Sequence, residues 1–554
     1  MKRSMKLLSL ILAMVFVMSA FSGCDFMKAS EEDDSMDTVY IDEGGQQVAV
    51  TEALKLGVRN MGYGEDFAYE LAAAFEAKTG IKTIVSKSSS ADWVETAVMS
   101  GGRNNDIDVI FDINPTRMRN VAINGYLEGY ERAYVDLSDI YDQPLEGYNT
   151  NATMEEMLLP YAVEACTWGG EDKGFGDGKQ YFVNWAPGIE GLMYNATLFQ
   201  KYNLEVPKTT NQLLALMEQI KSLNNGKYPV NDEGYTIYPL VYAGAEYYLE
   251  YPTQVWCVQY DGLDAYQNRL QGKDVNGNYS PECMKTAGRL SAYSIVSKIL
   301  DQDNGYTDPN SRALSFTDAQ VMFLVDQAFM MSTGDWLERE MSGNAGLSES
   351  EIRFMPVPMN SDVASKLKSI GTEEKLVEVL SYIDGETAER PSYVSDEDLA
   401  YLQDLRGSIW CEGNQHIAYI PAYSDNIPAA KKFLQFMLSK EGMEIMLEYA
   451  YGGAPLLNVD YTQFDYYAEL SALQKSKLDI IMTGNGANLL GGISVYPMAY
   501  AGGLGYTMTR LEGSFGVYKG STSYLTPLEL WQDEFEGWSV RWKNMMSSAG
   551  LSNG

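Results

Sequence analysis

The sequence predicts an α/β protein of at least two lobes, and three observations carry this. From residue 54 onward, strand and helix patterns alternate as β-α-β-α-β, the order that builds a parallel sheet with right-handed crossovers. A chain of 554 residues is too long for one hydrophobic core, since single cores stop growing at roughly 250–300 residues. Apolar residues make up 45% and aromatic residues 12% of the chain, enough to fill more than one core.

The elements follow in order. Residues 54–60 read as a first strand. Residues 66–78 read as a helix, with Phe67, Leu71, Ala74, Phe75 and Lys78 at helical spacing and Gly80 as its stop. A second strand at 81–85, a helix at 91–100 and a third, fully apolar strand at 107–113 complete the opening unit, and Pro115 starts the next helix. Ligands of such sheets sit at the carboxyl ends of the strands, which makes Asp112, Asn114 and the loop around Trp93 candidates to face a cleft. A second α/β region has a strand at 191–195, a helix at 211–223 capped by Thr210, and an apolar strand at 329–332 ending at Gly334, Asp335 and Trp336. Asn276–Gly277 marks a hairpin within 274–279. Residues 361–406 form a polar insertion of helical character and a candidate lid, and 425–449 reads as one or two amphipathic helices.

Ahead of this lies a leader. Lys2, Arg3 and Lys6 precede a nearly unbroken apolar run over 7–20, then Phe21, Ser22, Gly23 and Cys24. The run falls short of the roughly 20 residues of a membrane-spanning helix. The layout is that of a secretory signal peptide over 1–23. Small residues before a cysteine also match a bacterial lipobox, with Phe21 where Leu is usual, so Cys24 is the expected lipidation site. Residues 24–50 read as the lipidated cysteine and a flexible, acidic tether. The expected location is the extracellular face of the cell membrane, reached by secretion and held by the lipid anchor.

Net charge is −35, and removing 1–23 takes away three positive charges and no negative ones, leaving −38. Such a surface repels phosphate backbones and anionic headgroups, which excludes nucleic acid and leaves the lipid as the membrane attachment. Cys166, Cys257, Cys283 and Cys411 have no CxxC spacing, so no disulfide framework and no zinc site is read. Asp274, Asn276, Asn278 and Glu282 hint at a calcium loop, but their spacing departs from the EF-hand and favours the plain hairpin. No cofactor and no metal are expected. The single histidine, His416, and the lack of a Gly-x-Ser-x-Gly elbow leave little for hydrolytic chemistry. Two carboxylates suffice for a glycoside hydrolase, and 76 acidic residues keep that class open.

Several segments resemble the family 1 extracellular solute-binding proteins, the group that contains maltose-binding protein. They are WAPGIEGLMYNATLF at 185–199 with VPKTT at 206–210, AFMMSTGDW at 328–336, FMPVPM at 354–359, and IPAYS, AKKFLQF, SKE and GGAP between 420 and 455. Each is weak alone, and the set occurs in the family's order over 54–460. The resemblance implies a type II periplasmic-binding-protein-like fold of two α/β lobes joined by a hinge. The first lobe would comprise 51–186 and 414–452, and the second 187–413 and 453–554, including the insertion. Crossovers are expected near 186–189 and 410–415 and after 452–455, where Pro187, Gly188 and Gly413 suit hinges. It implies a non-enzymatic, monomeric receptor that captures a mono- or oligosaccharide in the inter-lobe cleft and delivers it to the permease subunits of an ABC transporter. A surface sensor built on the same fold is the alternative.

A sugar offers hydroxyls at its edges and C–H patches on its faces, so its site needs aromatic rings and planar polar groups. In the family, the Trp of the Gly-x-Trp stretch stacks on a sugar ring, which makes Trp336 the first candidate. Asp335 beside it is a hydroxyl acceptor or a helix cap. Glu246, Tyr247 and Tyr248 lie in a stretch resembling the family's binding loop. Trp185 is placed at the hinge, and Trp93 and Asp112 are first-lobe candidates. Trp168, in a glycine-rich loop, is a candidate to close over the cleft. That loop lacks the Lys-Ser/Thr ending of a phosphate loop.

Overall fold

The computed structural model describes residues 35–43, 45–59, 62–88, 106–113, 132–171, 175–411, 416–483, 489–491, 496, 498, 508–517 and 519–551. Cys24, Trp93, Asn114, Pro115, Gly413 and the helix expected at 91–100 lie outside them. The chain becomes regular earlier than its composition suggests. Strands β1 (Ser35–Glu43) and β2 (Gln46–Glu52) pair antiparallel, with Ile41 opposite Val48. This corrects the reading of 24–50 as tether from residue 35 on. Ile41 and Val50 are buried, so a few alternating apolar residues are enough to seat the hairpin on the first lobe.

The first-lobe sheet runs β4-β3-β5-β14-β8, built from β3 (Leu54–Arg59), β4 (Thr83–Ser88), β5 (Val109–Ile113), β8 (Val183–Asn184) and β14 (His416–Tyr419). The β3 strand pairs parallel with β4 and β5. Strand β14 pairs antiparallel with both β5 and β8, because it returns from the other lobe and enters the sheet from the opposite end. The parallel sheet read from the opening elements is thus a mixed sheet. Helix Asp66–Thr79 buries Phe67, Leu71 and Phe75 and ends at Gly80, whose φ of 76° lets its N–H reach the Glu76 carbonyl. An antiparallel hairpin, β6 (Thr167–Gly170) with β7 (Phe175–Gln180), flanks this lobe.

The second-lobe sheet runs β10-β11-β9-β13-β15, with β12 also on β9. Its strands are β9 (Ile189–Asn195), β10 (Tyr238–Tyr242), β11 (Ala328–Gly334), β12 (Ile352–Phe354), β13 (Ile409–Cys411) and β15 (Leu489–Leu490). Every residue of β11 is buried, as a central strand between two others requires. Helix Thr210–Ile220 is capped one residue earlier than the sequence suggests, by Thr209, whose hydroxyl accepts the Gln212 N–H.

The chain passes between the sheets at 185–188 and again between β13 and β14. It then stays with the first lobe longer than a boundary at 453 allows. Leu159 N–H donates to the Leu456 carbonyl at 2.8 Å, Asn458 N–H to Met157 at 2.7 Å, and Asp465 N–H to Glu444 at 2.7 Å. The last passage falls near 470, because helix Ala472–Met482 lies on β12, where Phe354 N–H donates to Ser476 Oγ at 2.9 Å.

The insertion is packed, which corrects its reading as a lid. Helices Glu373–Ile383 and Asp396–Arg406 bury Leu376, Val379, Leu380, Leu402 and Leu405. The Tyr401 hydroxyl donates to the Gln259 carbonyl, and Arg406 clamps Asp384 through two contacts at 2.8 and 2.9 Å. The 274–279 turn is a hairpin whose Asp274 carboxylate is engaged by the N–H groups of Asn276 and Asn278. Helix Pro527–Ser548 closes the second lobe: Trp538, Trp542 and Met545 cover Cys283 and Met284, and Glu534 meets Arg289 at 3.0 Å in a buried pair. Among the described residues, no helix is long and apolar enough to cross a membrane.

Candidate functional site

The lobes meet at the segment that precedes helix Asp66–Thr79. Gly62, Tyr63 and Gly64 belong to it, with φ of +59° at Gly62 and +74° at Gly64, values that side chains disfavour. A methyl on Gly62 would stand 3.7 Å from the Trp336 Cβ, and one on Gly64 only 2.4 Å from Arg339 Nε. Glycine here admits the second lobe, which arrives as the end of β11: Gly334, Asp335, Trp336.

Tyr63 is fully buried. Its hydroxyl accepts the Gly188 N–H at 3.0 Å and donates to Asp335 Oδ1. Asp335 Oδ2 lies 3.0 Å from Lys477 Nζ, with both side chains 2% exposed, and Lys477 also donates to the Gly452 carbonyl. Burial, reinforced by the Asp335 carboxylate, holds the Tyr63 phenol well above its ordinary range, so it stays a donor at all physiological pH. Arg339 reaches Asp66 at 3.3 Å and lies over the Tyr451 ring at 5.3 Å.

Beside this junction is an aromatic cluster. Trp336 is 8% exposed and meets Tyr248 edge to face at 6.1 Å, and Tyr248 meets Tyr251 at 5.2 Å. Among the described residues no acceptor pairs with the Trp336 indole N–H. Glu246 and Tyr247 are exposed on the same loop. Tyr247 has a φ of 65°, a conformation a bulky residue holds only when its surroundings impose it.

The other predicted residues lie deeper. Trp185 is inaccessible: it stacks on Phe67 at 5.0 Å, meets His416 at 5.5 Å and donates its N–H to the Asp112 carbonyl. Asp112 is 3% exposed and 3.5 Å from Arg59. Both are packed into the first-lobe core beside the passage at 185–188. Trp168 is buried in the β6–β7 hairpin. Sequence reasoning passed over Tyr63, Tyr251, Arg339 and Lys477. The Gly-Tyr-Gly between a strand and a helix marks Tyr63, whereas nothing local marks Lys477. An opening of about 1030 Å³ elsewhere between the lobes is lined by Glu155, Glu164, Gln180, Gln267, Gln271 and Tyr496 among others.

The model of the bacterial extracellular solute-binding protein family matches residues 62–444, more than half of the chain. The chain belongs to this family. Among curated relatives, the multiple sugar-binding protein of Streptococcus mutans is 26% identical over 159 residues, 28% of this solute-binding protein and 34% of that one. The match therefore spans about a third of the relative's length. An ABC substrate-binding protein from Listeria monocytogenes, solved in complex with cycloalternan, superposes with a TM-score of 0.53 at 13% identity, covering 90% of this chain and 99% of that one. The GacH receptor of Streptomyces glaucescens, solved unliganded and with acarbose, gives 0.54 at 14% identity over 89% and 98%. At such identity the likeness is one of fold, and the two-lobed α/β architecture of this solute-binding protein is that of its neighbours.

Glu340, four residues after Trp336, accepts from Gln320 at 2.7 Å, and burial raises its carboxyl from 4.5 to about 7. A folded-state value above the unfolded one stabilises below the unfolded value, and that contribution is lost as pH rises through the folded value. Glu340→Gln is neutral at every pH. It is expected to reduce the drop in melting temperature between about pH 5 and pH 8, read by calorimetry.

Proposed function

We propose that this protein is a lipid-anchored extracellular receptor that captures a carbohydrate between its lobes and delivers it to the permease of an ABC importer. The observation that carries the reading is Trp336: a large ring at the inter-lobe junction, flanked by Tyr248, which in turn packs on Tyr251, with an indole N–H that has no acceptor among the described residues. Rings of this kind cover sugar faces, and an N–H left over is suited to a hydroxyl. Tyr247 and Glu246, exposed on the same loop, reach for the sugar's edge. Asp335, already engaged by Tyr63 and Lys477, orients Trp336, and Trp185 and Asp112 brace the floor. Trp93 is the first-lobe partner. Three proteins that this chain resembles carry carbohydrates in their descriptions, which supports the ligand class. Cys24 supplies the anchor, and the closed pair of lobes supplies the face that docks on the permease.

The test is calorimetric titration against a glycan panel including galactose, raffinose and maltotriose, with product analysis. One or more glycans are expected to bind and to be recovered intact. Trp336→Ala is expected to weaken that binding by about 100-fold, a few kcal/mol of lost ring contact. Unchanged affinity in a folded variant would remove Trp336 from the site. A cleaved glycan would replace the receptor by a glycoside hydrolase.

A further inference from the structure

We propose that the hairpin over 35–52 orients the receptor on the membrane: it turns the end of the first lobe farthest from the lobe junction toward the bilayer and leaves the junction facing the medium. The inference rests on the reading of Cys24 as the anchor. The hairpin is part of the lobe and not of the tether. Ile41 and Val50 are buried in the core, and a methyl on Gly80 would stand 3.6 Å from Val39 Cγ2. Both strands lie against helix Ile427–Leu438, and the Asn426 amide donates to the Glu52 carbonyl at 3.3 Å. Strand β1 begins at Ser35, which pairs with Glu52. Glu52 stands two residues ahead of Leu54, so the chain enters the lobe beside the amino end of β3. The junction lies past the other end of that strand, at Gly62 and Tyr63. The six residues of β3 set the two points apart by about 20 Å.

Chain length then decides which faces can reach the bilayer. From Cys24 to Ser35 there are eleven Cα–Cα steps, a reach of at most about 40 Å. The residues that follow, 35–554, make a globule with a radius of gyration of about 24 Å and a diameter of about 60 Å. A reach of about 40 Å lets that globule lean onto a flank, where a permease can meet both lobes, but not turn over. Without a seated hairpin the fixed point would move to Leu54, thirty steps from Cys24. A reach of about 100 Å would then let every face touch the membrane. A few buried apolar residues in the hairpin therefore separate a receptor of set orientation from one that tumbles on its anchor.

The test uses the mature chain, residues 24–554, coupled through the Cys24 thiol to a maleimide lipid in phosphatidylcholine vesicles. The other four cysteines are buried, which directs the coupling. A ketone-bearing amino acid at position 52 or 246, both exposed, takes a donor dye, and acceptor dyes sit on the headgroups. Energy transfer is expected to be several-fold stronger from position 52 than from position 246. A Gly/Ser insert of about 20 residues between 34 and 35 extends the reach to about 100 Å. It leaves the contacts of residues 35–554 in place and is expected to narrow the difference. Ile41→Asp, where circular dichroism shows a folded chain, is expected to do the same by unseating the hairpin. Equal transfer from the two positions without the insert overturns the proposal. So does a difference that the insert leaves unchanged, because a surface contact and not the reach would then set the orientation. Chemical coupling makes the result independent of whether the cell lipidates Cys24, which mass spectrometry of the membrane-extracted protein decides.

Discussion

Lys477→Met is expected to lower the stability of the protein by about 3–5 kcal/mol, the usual cost of removing one member of a buried ion pair. The side chain is 2% exposed and sits 3.0 Å from an equally buried Asp335. Without it, the Asp335 carboxylate keeps the Tyr63 hydroxyl as a donor and its backbone N–H still donates to the Ile189 carbonyl, while its charge stays out of water. The cost arises from the stranded carboxylate and not from the lost lysine as such. The double variant Asp335→Asn with Lys477→Met removes both charges and keeps an acceptor for Tyr63, and it is expected to recover more than half of the loss. Denaturant titration of the four proteins of this cycle measures the coupling. Equal losses in the single and double variants would show that the lysine acts by packing.

Glu534→Ala is expected to cost a similar amount, about 3–5 kcal/mol, at the far end of the second lobe. Glu534 is the point at which helix Pro527–Ser548 engages the lobe core. It meets Arg289 at 3.0 Å, accepts from the Tyr293 hydroxyl, and is 4% exposed on its side chain. Alanine leaves the Arg289 guanidinium without this carboxylate in a buried setting. The helix should then detach first, since its remaining ties are Leu530 in the lobe core, the Trp531 N–H on the Thr286 carbonyl and a satellite cluster around Trp538 and Trp542. Limited proteolysis is expected to release a C-terminal fragment from the variant before the wild type. Glu534→Gln keeps an oxygen for Tyr293 and should lie between the two. A variant as resistant as wild type would mean that these remaining contacts hold the helix without the ion pair.

Much of the fold was legible because its signals are local. Phe67, Leu71 and Phe75 recur at helical spacing and Gly80 ends the run, and the helix occupies Asp66–Thr79. The apolar run ending at Gly334 is a buried central strand. The hairpin over 35–52 was missed because its apolar residues are few and a charged surround dominates the composition. The insertion looked like a lid because its sequence is polar, yet a helix needs only one apolar stripe to pack, and Leu376, Val379 and Leu380 provide it. Trp336 and Tyr248 were singled out separately, from motifs, and the structure brings their rings together.

What the sequence determined by itself is the class of the molecule: the α/β alternation, the acidic composition, and the ordered motifs of a solute-binding protein. Each of these is read within a window of a few residues or from composition, where propensity and periodicity act. The tertiary structure alone decided the junction between the lobes. Tyr63 finds Asp335 across 272 positions, and Lys477 finds it across 142. Contacts at that separation depend on where two sheets and three passages place the chain ends, and no local pattern of residues records that geometry.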